Sequence, residues 1–308
     1  MKDFKKTVML LMMAVIWGYA FVAQADGGDL VGPYTFNGLR MLLGALCLAP
    51  VILIRNKVTK KAPIEAKERK MLLTGGILCG VSLFAASTVQ QLGLTMGTSA
   101  GKAGFLTAIY ILIIPIISIF LKKRCPVNVW IAVFIALVGL YLLCIKEGDL
   151  SISFSDLLII ICAFCFAIQI LLVDHYSPHV DGLSLAEIEF IVTGVISLFP
   201  IFFVEVRKDG FAAWLNNFNN TDVIIPFVFA GIFSCCIAYV LQIEACRDYN
   251  PTVASLIMSL ESVFAAIFGA IFLHEIMSTR EFLGAAIMFI AVVIAKLPFD
   301  KWIGKAKA

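Results

Sequence analysis

Charged side chains are scarce in this sequence. They make up 15% of its 308 residues, whereas soluble domains carry roughly a quarter. Hydrophobic residues reach 61%, a larger share than the core of a soluble protein requires. The composition therefore excludes an ordinary soluble domain and predicts a protein that lies within a membrane.

Signatures of catalysis and nucleotide binding are also missing. The sequence contains no glycine-rich phosphate loop of the Walker type, which excludes an ATP-driven motor. It has 3 histidines, with no Ser-His-Asp or metal-ligand spacing around them. No soluble segment offers a basic surface for nucleic acid. We predict neither an enzyme nor a nucleic-acid-binding protein, and no cofactor or metal.

Apolar runs long enough to cross ~30 Å of hydrocarbon recur along the whole chain. They lack the strict alternation of barrel strands, so we expect helices. We predict an all-α polytopic membrane protein with ten transmembrane helices. The spans are near 7–25, 33–54, 70–91, 97–121, 126–145, 154–174, 184–204, 222–243, 250–273 and 280–297.

Basic residues concentrate on one side of these predicted spans. Clusters at 2–6, 55–70, 122–124 and 296–307 fall on the side of both termini. Cytoplasmic loops are enriched in Lys and Arg, so both termini are predicted to be cytoplasmic. A competing interpretation treats the basic start, apolar run and "AQA" at 23–25 as a cleaved signal peptide. It would remove the first span.

The two halves of the chain resemble each other weakly. A constant shift places Ser82 on Ser234 and Gln90 on Gln242. Each half then holds five spans, and an odd number makes the second copy enter the membrane from the opposite side. We predict two inverted repeats, 1–147 and 148–308, an architecture of many secondary transporters.

Three stretches resemble the EamA-type members of the drug/metabolite transporter superfamily. They are "VIWGYAFV" (15–22), the fourth and fifth spans (97–143) and "NPTVASLIMSLESVFAAIFGAIFLHE" (250–275). The resemblance covers nearly the whole chain. It implies a ten-span exporter or importer of amino acids or other small metabolites. Ser262 stands where that family usually has proline, which puts the bending of the ninth span in doubt.

Ionisable residues inside a span are candidates for function by default. Glu261 lies about ten residues, or ~15 Å, into the ninth span, near the bilayer midplane. Because hydrocarbon disfavours a charged carboxylate, Glu261 could exchange a proton or pair with a cationic substrate group. A structural, hydrogen-bonded glutamate is the alternative.

Lys102 lies near the outer start of the fourth span, among small residues. It could anchor an anionic substrate group at the outer mouth of a cavity, or its long stem could extend to the membrane surface. Neither Lys102 nor Glu261 is duplicated in the other half, which favours a role in substrate binding.

Polar and aromatic residues deep in other spans complete the predicted site. Cavity-wall candidates are Trp17, Gln90, Tyr110, Gln169, Tyr239 and Gln242. Packing and helix-to-helix hydrogen bonds are the alternative roles. Arg40, Glu187, Glu189 and Glu244 lie nearer the predicted ends of their spans, and we interpret them as structural ion pairs or solvated end groups.

These observations together predict a secondary transporter that exports small metabolites such as amino acids or related compounds. Transport would occur by alternating access, either coupled to protons through Glu261 or driven by the substrate gradient. We expect a monomer or weak homodimer in the cell membrane, with membrane lipids and a small-molecule substrate as its partners. The alternative is a membrane-embedded enzyme or sensor acting on a lipid or small ligand.

Overall fold

The computed structural model describes residues 2–59, 65–98, 100–122, 127–145, 152–247, 249–272 and 278–296. Among these, the side chains at 2, 3, 25–29, 100–102, 144, 209, 269, 272 and 296 are not described. Within these ranges the chain is almost entirely helical. The predicted helical membrane protein is confirmed at this level.

The first five long helices come from the first half of the chain. They are α1 (Lys2–Val31), α2 (Pro33–Val58), α3 (Ala66–Thr95), α4 (Ala100–Ala108 and Tyr110–Phe120) and α5 (Val127–Cys144). α1 runs well past the predicted end of its span. α4 is interrupted at Ile109, a break that the sequence did not predict.

The second half forms a matching series. Its helices are α6 (Phe154–Tyr176), α7 (Gly182–Val206), α8 (Thr221–Cys246), α9 (Pro251–Met258 and Glu261–Phe272) and α10 (Thr279–Lys296). α9 is interrupted at Ser259 and Leu260, and α8 has a wide π-helical segment at Ala230–Ala238. The connection expected at 205–221 contains a short helix, Phe211–Asn216.

Eight of the helices in the described ranges are long and apolar enough to cross a membrane, by length and composition. α5 contributes a shorter apolar helix, Val127–Leu143. α10 has only 18 residues and carries Arg280 and Glu281 near its start. Large apolar side chains such as Leu46 and Phe120 lie exposed on the outside of the bundle, as expected where lipid replaces water.

The helices pair in a regular pattern. α3 packs along α6, as α8 packs along α1; α4 contacts α6, as α9 contacts α1. α2 pairs with α7, α4 with α9 and α5 with α10. If each of the helices α1 to α5 is exchanged with its counterpart among α6 to α10, in order, the set of pairings stays the same.

Glycines permit the closest of these contacts. A Cβ added to Gly38 on α2 would lie 2.4 Å from Ser197 Cβ on α7. A Cβ on Gly284 of α10 would lie 2.6 Å from the Gly139 carbonyl oxygen on α5. Small residues at helix crossings are typical of membrane proteins, where close backbone packing replaces the hydrophobic effect.

Candidate functional site

A cavity lies in the middle of the bundle, between helices of both halves. The empty space in it, including the part that is open to solvent, is about 510 Å³. Its polar lining is formed by Trp17, Gln24, Arg40, Gln90, Thr107, Tyr110, Ser234, Tyr239, Gln242 and Glu261. The apolar lining is formed by Ala20, Phe21, Phe166, Ile170 and Met258. A concave site in which polar groups converge beside apolar side chains is typical of small-molecule binding.

Glu261 lies at the interruption of α9 and is the first residue of that helix's second half. It is 4% exposed and accepts a hydrogen bond from the Tyr110 hydroxyl at 3.3 Å. Tyr110 in turn is the first residue after the interruption of α4. The two broken helices therefore bring these side chains together, although they are far apart in the sequence.

The break in α9 needs no proline. Ser255 and Ser259 donate their hydroxyl protons to carbonyl groups of the preceding turn, Thr252 O at 2.9 Å and Leu256 O at 2.8 Å. Such bonds compete with the backbone ladder and bend helices. Ser262 donates to the Gly104 carbonyl of α4 at 3.2 Å, which ties the two helices together. α9 is therefore interrupted although Ser262 stands where the family usually has proline.

Aromatic residues form one wall of the cavity. The Trp17 and Tyr239 rings meet edge to face with centroids 4.9 Å apart. Trp17 Nε1 donates to the Ser234 carbonyl at 3.3 Å, within the π-helical segment of α8. Phe190 packs against the other side of Tyr239, with centroids 5.3 Å apart. These contacts fix the wall between α1 and α8.

Two of the predicted polar residues, Gln90 and Gln242, also line the cavity. Gln90 Nε2 donates to Thr107 Oγ1 at 3.1 Å, so it joins α3 to α4. Gln242 Nε2 reaches Gln169 Oε1 at 3.5 Å. Both glutamines therefore face the cavity and link helices at the same time, which combines the two roles considered from the sequence.

Gln169 does not line the cavity. It is fully buried behind Gln242 and donates to Glu189 Oε1 at 2.8 Å. We interpreted Glu189 as a structural ion pair or a solvated end group. The solvated alternative is wrong, since its side chain is 0% exposed, and its hydrogen-bond partner among the described residues is the neutral Gln169. Its other oxygen, Oε2, has no hydrogen-bond partner within the described residues. The interpretation failed because distance along a span does not show which face of the helix a residue occupies.

Arg40 is the main cavity residue that the sequence analysis missed. It was placed with structural or solvated groups near the membrane surface, yet it is 4% exposed and lines the cavity. Its position about seven residues into α2, or ~10 Å, was the available signal. Gln24, Thr107 and Ser234 were missed too, since short or interfacial polar residues rarely stand out in an apolar run.

Lys102 lies on the first half of α4, and its side chain is outside the described part of the structure. Of the eight predicted residues, Trp17, Gln90, Tyr110, Tyr239, Gln242 and Glu261 surround one cavity. Among the described residues, no group of three or more His, Cys, Asp or Glu side chains could hold a metal ion.

Comparison with known proteins decides the family. The family model described as "EamA-like transporter family" matches residues 5–145 and again 153–297. The chain belongs to the EamA-like transporter family. It is therefore a multi-pass membrane protein of the drug/metabolite transporter superfamily, consistent with the cell membrane.

Relatives and a solved structure agree with this membership. An "Uncharacterized transporter" of Archaeoglobus fulgidus is 27% identical over 94% of this chain and 84% of its own length. YoaV of Bacillus subtilis, also named an uncharacterized transporter, is 23% identical over 95% and 97%. A crystal structure that is 15% identical superposes with a TM-score of 0.76, covering 94% of this chain and 96% of its own. The structural likeness shows a shared fold.

Proposed function

We propose that this EamA-family protein is a secondary transporter that exports small metabolites, with amino acids as its substrate class, by alternating access. The observation that carries the proposal is the central cavity, which is lined by helices of both halves and holds the buried carboxylate of Glu261. Substrate would bind there while one side of the bundle is closed, and leave when the halves rock apart on the other side. The chain would need no cofactor and would work as a monomer or weak homodimer.

The proposal includes ten spans in two inverted repeats. The helix pairings that survive exchange of the two halves support it, as do the two separate family matches. α5 and α10, the shortest helices, would still span most of ~30 Å at 1.5 Å per residue. The basic clusters at 2–6 and 55–70 support cytoplasmic termini.

Interrupted helices at the cavity support a substrate site there. In many transporters, half-helix ends at the midplane present unsatisfied backbone groups to the substrate or the coupled ion. Glu261 and Tyr110 each begin such a half-helix. We propose that Glu261 binds either a proton or the amino group of the substrate. The Tyr110 hydroxyl would hold the Glu261 carboxylate in position.

The remaining candidates take supporting roles in this proposal. Trp17 and Tyr239 would form the wall against which the substrate packs, with Gln90 and Gln242 as hydrogen-bonding groups. Gln169 would hold Gln242 in place from behind. Lys102, on the first half of α4, would attract anionic substrates at the outer mouth.

Transport by purified protein in liposomes tests the proposal. Liposomes loaded with an unlabelled amino acid should take up the labelled form by counterflow, across a panel of amino acids and small metabolites. Glu261→Gln should slow uptake at least tenfold and remove any acceleration by an imposed pH gradient. Glu65→Gln is the matched control, because Glu65 is exposed before α3.

The outcomes separate the proposed mechanisms. If the wild type performs counterflow but its uptake does not respond to a pH gradient, transport is driven by the substrate gradient and not coupled to protons. If Glu261→Gln and Lys102→Ala both left uptake kinetics unchanged, the proposed site would be wrong. If no compound exchanged, the proposed transport function itself would fail.

A further inference from the structure

Arg40 carries a buried positive charge whose hydrogen-bonding capacity is only partly used. Nε and Nη2 both donate to Asn37 Oδ1, at 3.3 and 2.9 Å. Within the described residues, Nη1 makes no hydrogen bond and no carboxylate forms an ion pair with the guanidinium. A buried charge without a counter-ion is costly. An anion in the cavity would complete this arrangement.

The guanidinium is also held in a fixed position. Asn37 Nδ2 donates to Ser87 Oγ at 3.0 Å and Thr88 Oγ1 at 3.2 Å, both on α3. α2 itself packs closely on α7 through Gly38. Donors held by rigid neighbours lose little entropy on binding. Asn37 is neutral, so it orients Arg40 without cancelling its charge.

The cavity contains a second ionisable side chain, Glu261. Glu261 lines the cavity from α9 and accepts a hydrogen bond from the Tyr110 hydroxyl at 3.3 Å. The apolar part of the lining includes Phe21, Phe166, Ile170 and Met258. A ligand with one anionic group, one cationic group and an apolar side chain would match all three features.

We propose that Arg40 binds the carboxylate of the transported substrate, and that this substrate is a zwitterionic amino acid with an apolar side chain. The inference rests on the proposed transport function and deepens it. Guanidinium and carboxylate groups form strong charge-assisted hydrogen bonds. The amino group would then face Glu261.

Ligand pairs that differ only in the carboxylate test the proposal. We would measure dissociation constants by thermal shift of the purified protein with leucine, phenylalanine and their primary amides. The wild type should bind each amino acid at least ~10-fold more tightly than its amide, since a site built for a polar group rejects an analogue lacking it. Arg40→Gln should weaken amino-acid binding by a similar factor, about 10-fold relative to the wild type. Its affinity for the amides should stay within about twofold of the wild-type value.

Two further variants distinguish the effect of the Arg40 charge on ligand binding from a general loss of folding. Asn37→Asp keeps Arg40 and the side-chain shape but adds an internal carboxylate beside the guanidinium, so it should remove the preference for the acid over the amide. Arg207→Gln is the matched control, because Arg207 is exposed outside the cavity, and its preference should equal that of the wild type.

Several results would overturn the inference. One is a wild type that binds amides as tightly as acids; another is Arg40→Gln weakening both ligands equally. Stabilisation by chloride to the same extent as by amino acids would also overturn it. Any of these results could occur in a protein that still exchanges uncharged or cationic metabolites in liposomes. In that case the proposed transport function would stand, and only the proposed carboxylate site would be wrong.

Discussion

The contact between Glu261 and Tyr110 joins the two halves of the chain at one hydrogen bond. The Tyr110 hydroxyl donates to Glu261 Oε1 at 3.3 Å, and both residues are almost fully buried. A buried acceptor without a partner costs more than an average hydrogen bond gains. The hydroxyl therefore has a structural effect as well as the proposed role in binding.

Replacing Tyr110 with phenylalanine removes this donor and leaves the ring. We expect the free energy of unfolding to fall by about 1 kcal/mol. Transport should fall too, because the carboxylate is no longer held in one orientation. Thermal unfolding and liposome counterflow measure the two effects. Tyr141→Phe, at a residue 38% exposed on α5, should change neither; equal losses in both variants would contradict the prediction.

At the scale of elements, the pair α2–α7 is linked at both ends. At the end where α2 begins, Glu205 accepts hydrogen bonds from the backbone N–H groups of Tyr34 and Thr35, at 2.9 and 2.8 Å. A carboxylate there also suits the positive end of the helix dipole. At the far end, Arg55 forms an ion pair with Asp181. The two helices should therefore move as one unit during transport.

The pair α5–α10 is joined differently, through its backbones. Gly139 and Gly284 face each other, so that a Cβ on Gly284 would lie 2.6 Å from both Gly139 O and Leu143 N. Asn128 Nδ2 donates to the Ala295 carbonyl at 3.1 Å near one end. Backbone atoms cannot rotate away as a flexible side chain can, so this crossing tolerates no extra volume.

Gly284→Ala should therefore push α10 away from α5. Overpacking of a tight contact typically costs 1–3 kcal/mol, so we expect about that loss in unfolding free energy. Gly104→Ala is the matched control, since its added Cβ would meet Ser262 Oγ at 3.4 Å, an ordinary contact. Thermal unfolding of the two variants compares them directly, and equal stability would refute the close-packing argument.

At the scale of the molecule, the bundle is apolar outside and contains its polar groups inside. Exposed side chains along the helices include Leu46, Phe120 and Phe164, whereas Arg40 and Glu261 are buried. This reverses the usual arrangement of a soluble protein. A chain with few ionisable residues thus places two of them in one cavity.

The basic clusters predict the orientation of the bundle in the membrane. In a variant without native cysteines, a cysteine at Asn219 should react with a membrane-impermeant thiol reagent added outside the cell. A cysteine at Glu65 should react only after the membrane is opened. Both positions are exposed in the bundle, so a difference in labelling reports the side of the membrane. The opposite pattern would invert the proposed topology.

Much of this architecture was predictable because apolar runs and basic loops report directly on the membrane. The long apolar runs predicted membrane-spanning helices, and their positions agree with the long helices within several residues. Motifs such as "VIWGYAFV" pointed to the family that the comparisons confirm. Glu261 was recognisable because a carboxylate in the middle of an apolar run is costly without a function.

The sequence alone determined the helical class, the membrane location and the family, because these depend on local hydrophobicity and local motifs. Only the tertiary structure decided which polar groups share the cavity. Arg40 and Gln169 lie similarly deep in their helices, yet Arg40 lines the cavity and Gln169 lies behind it. The direction that a side chain faces depends on helix rotation and on breaks such as those at Ile109 and Ser259. Packing between distant segments sets both.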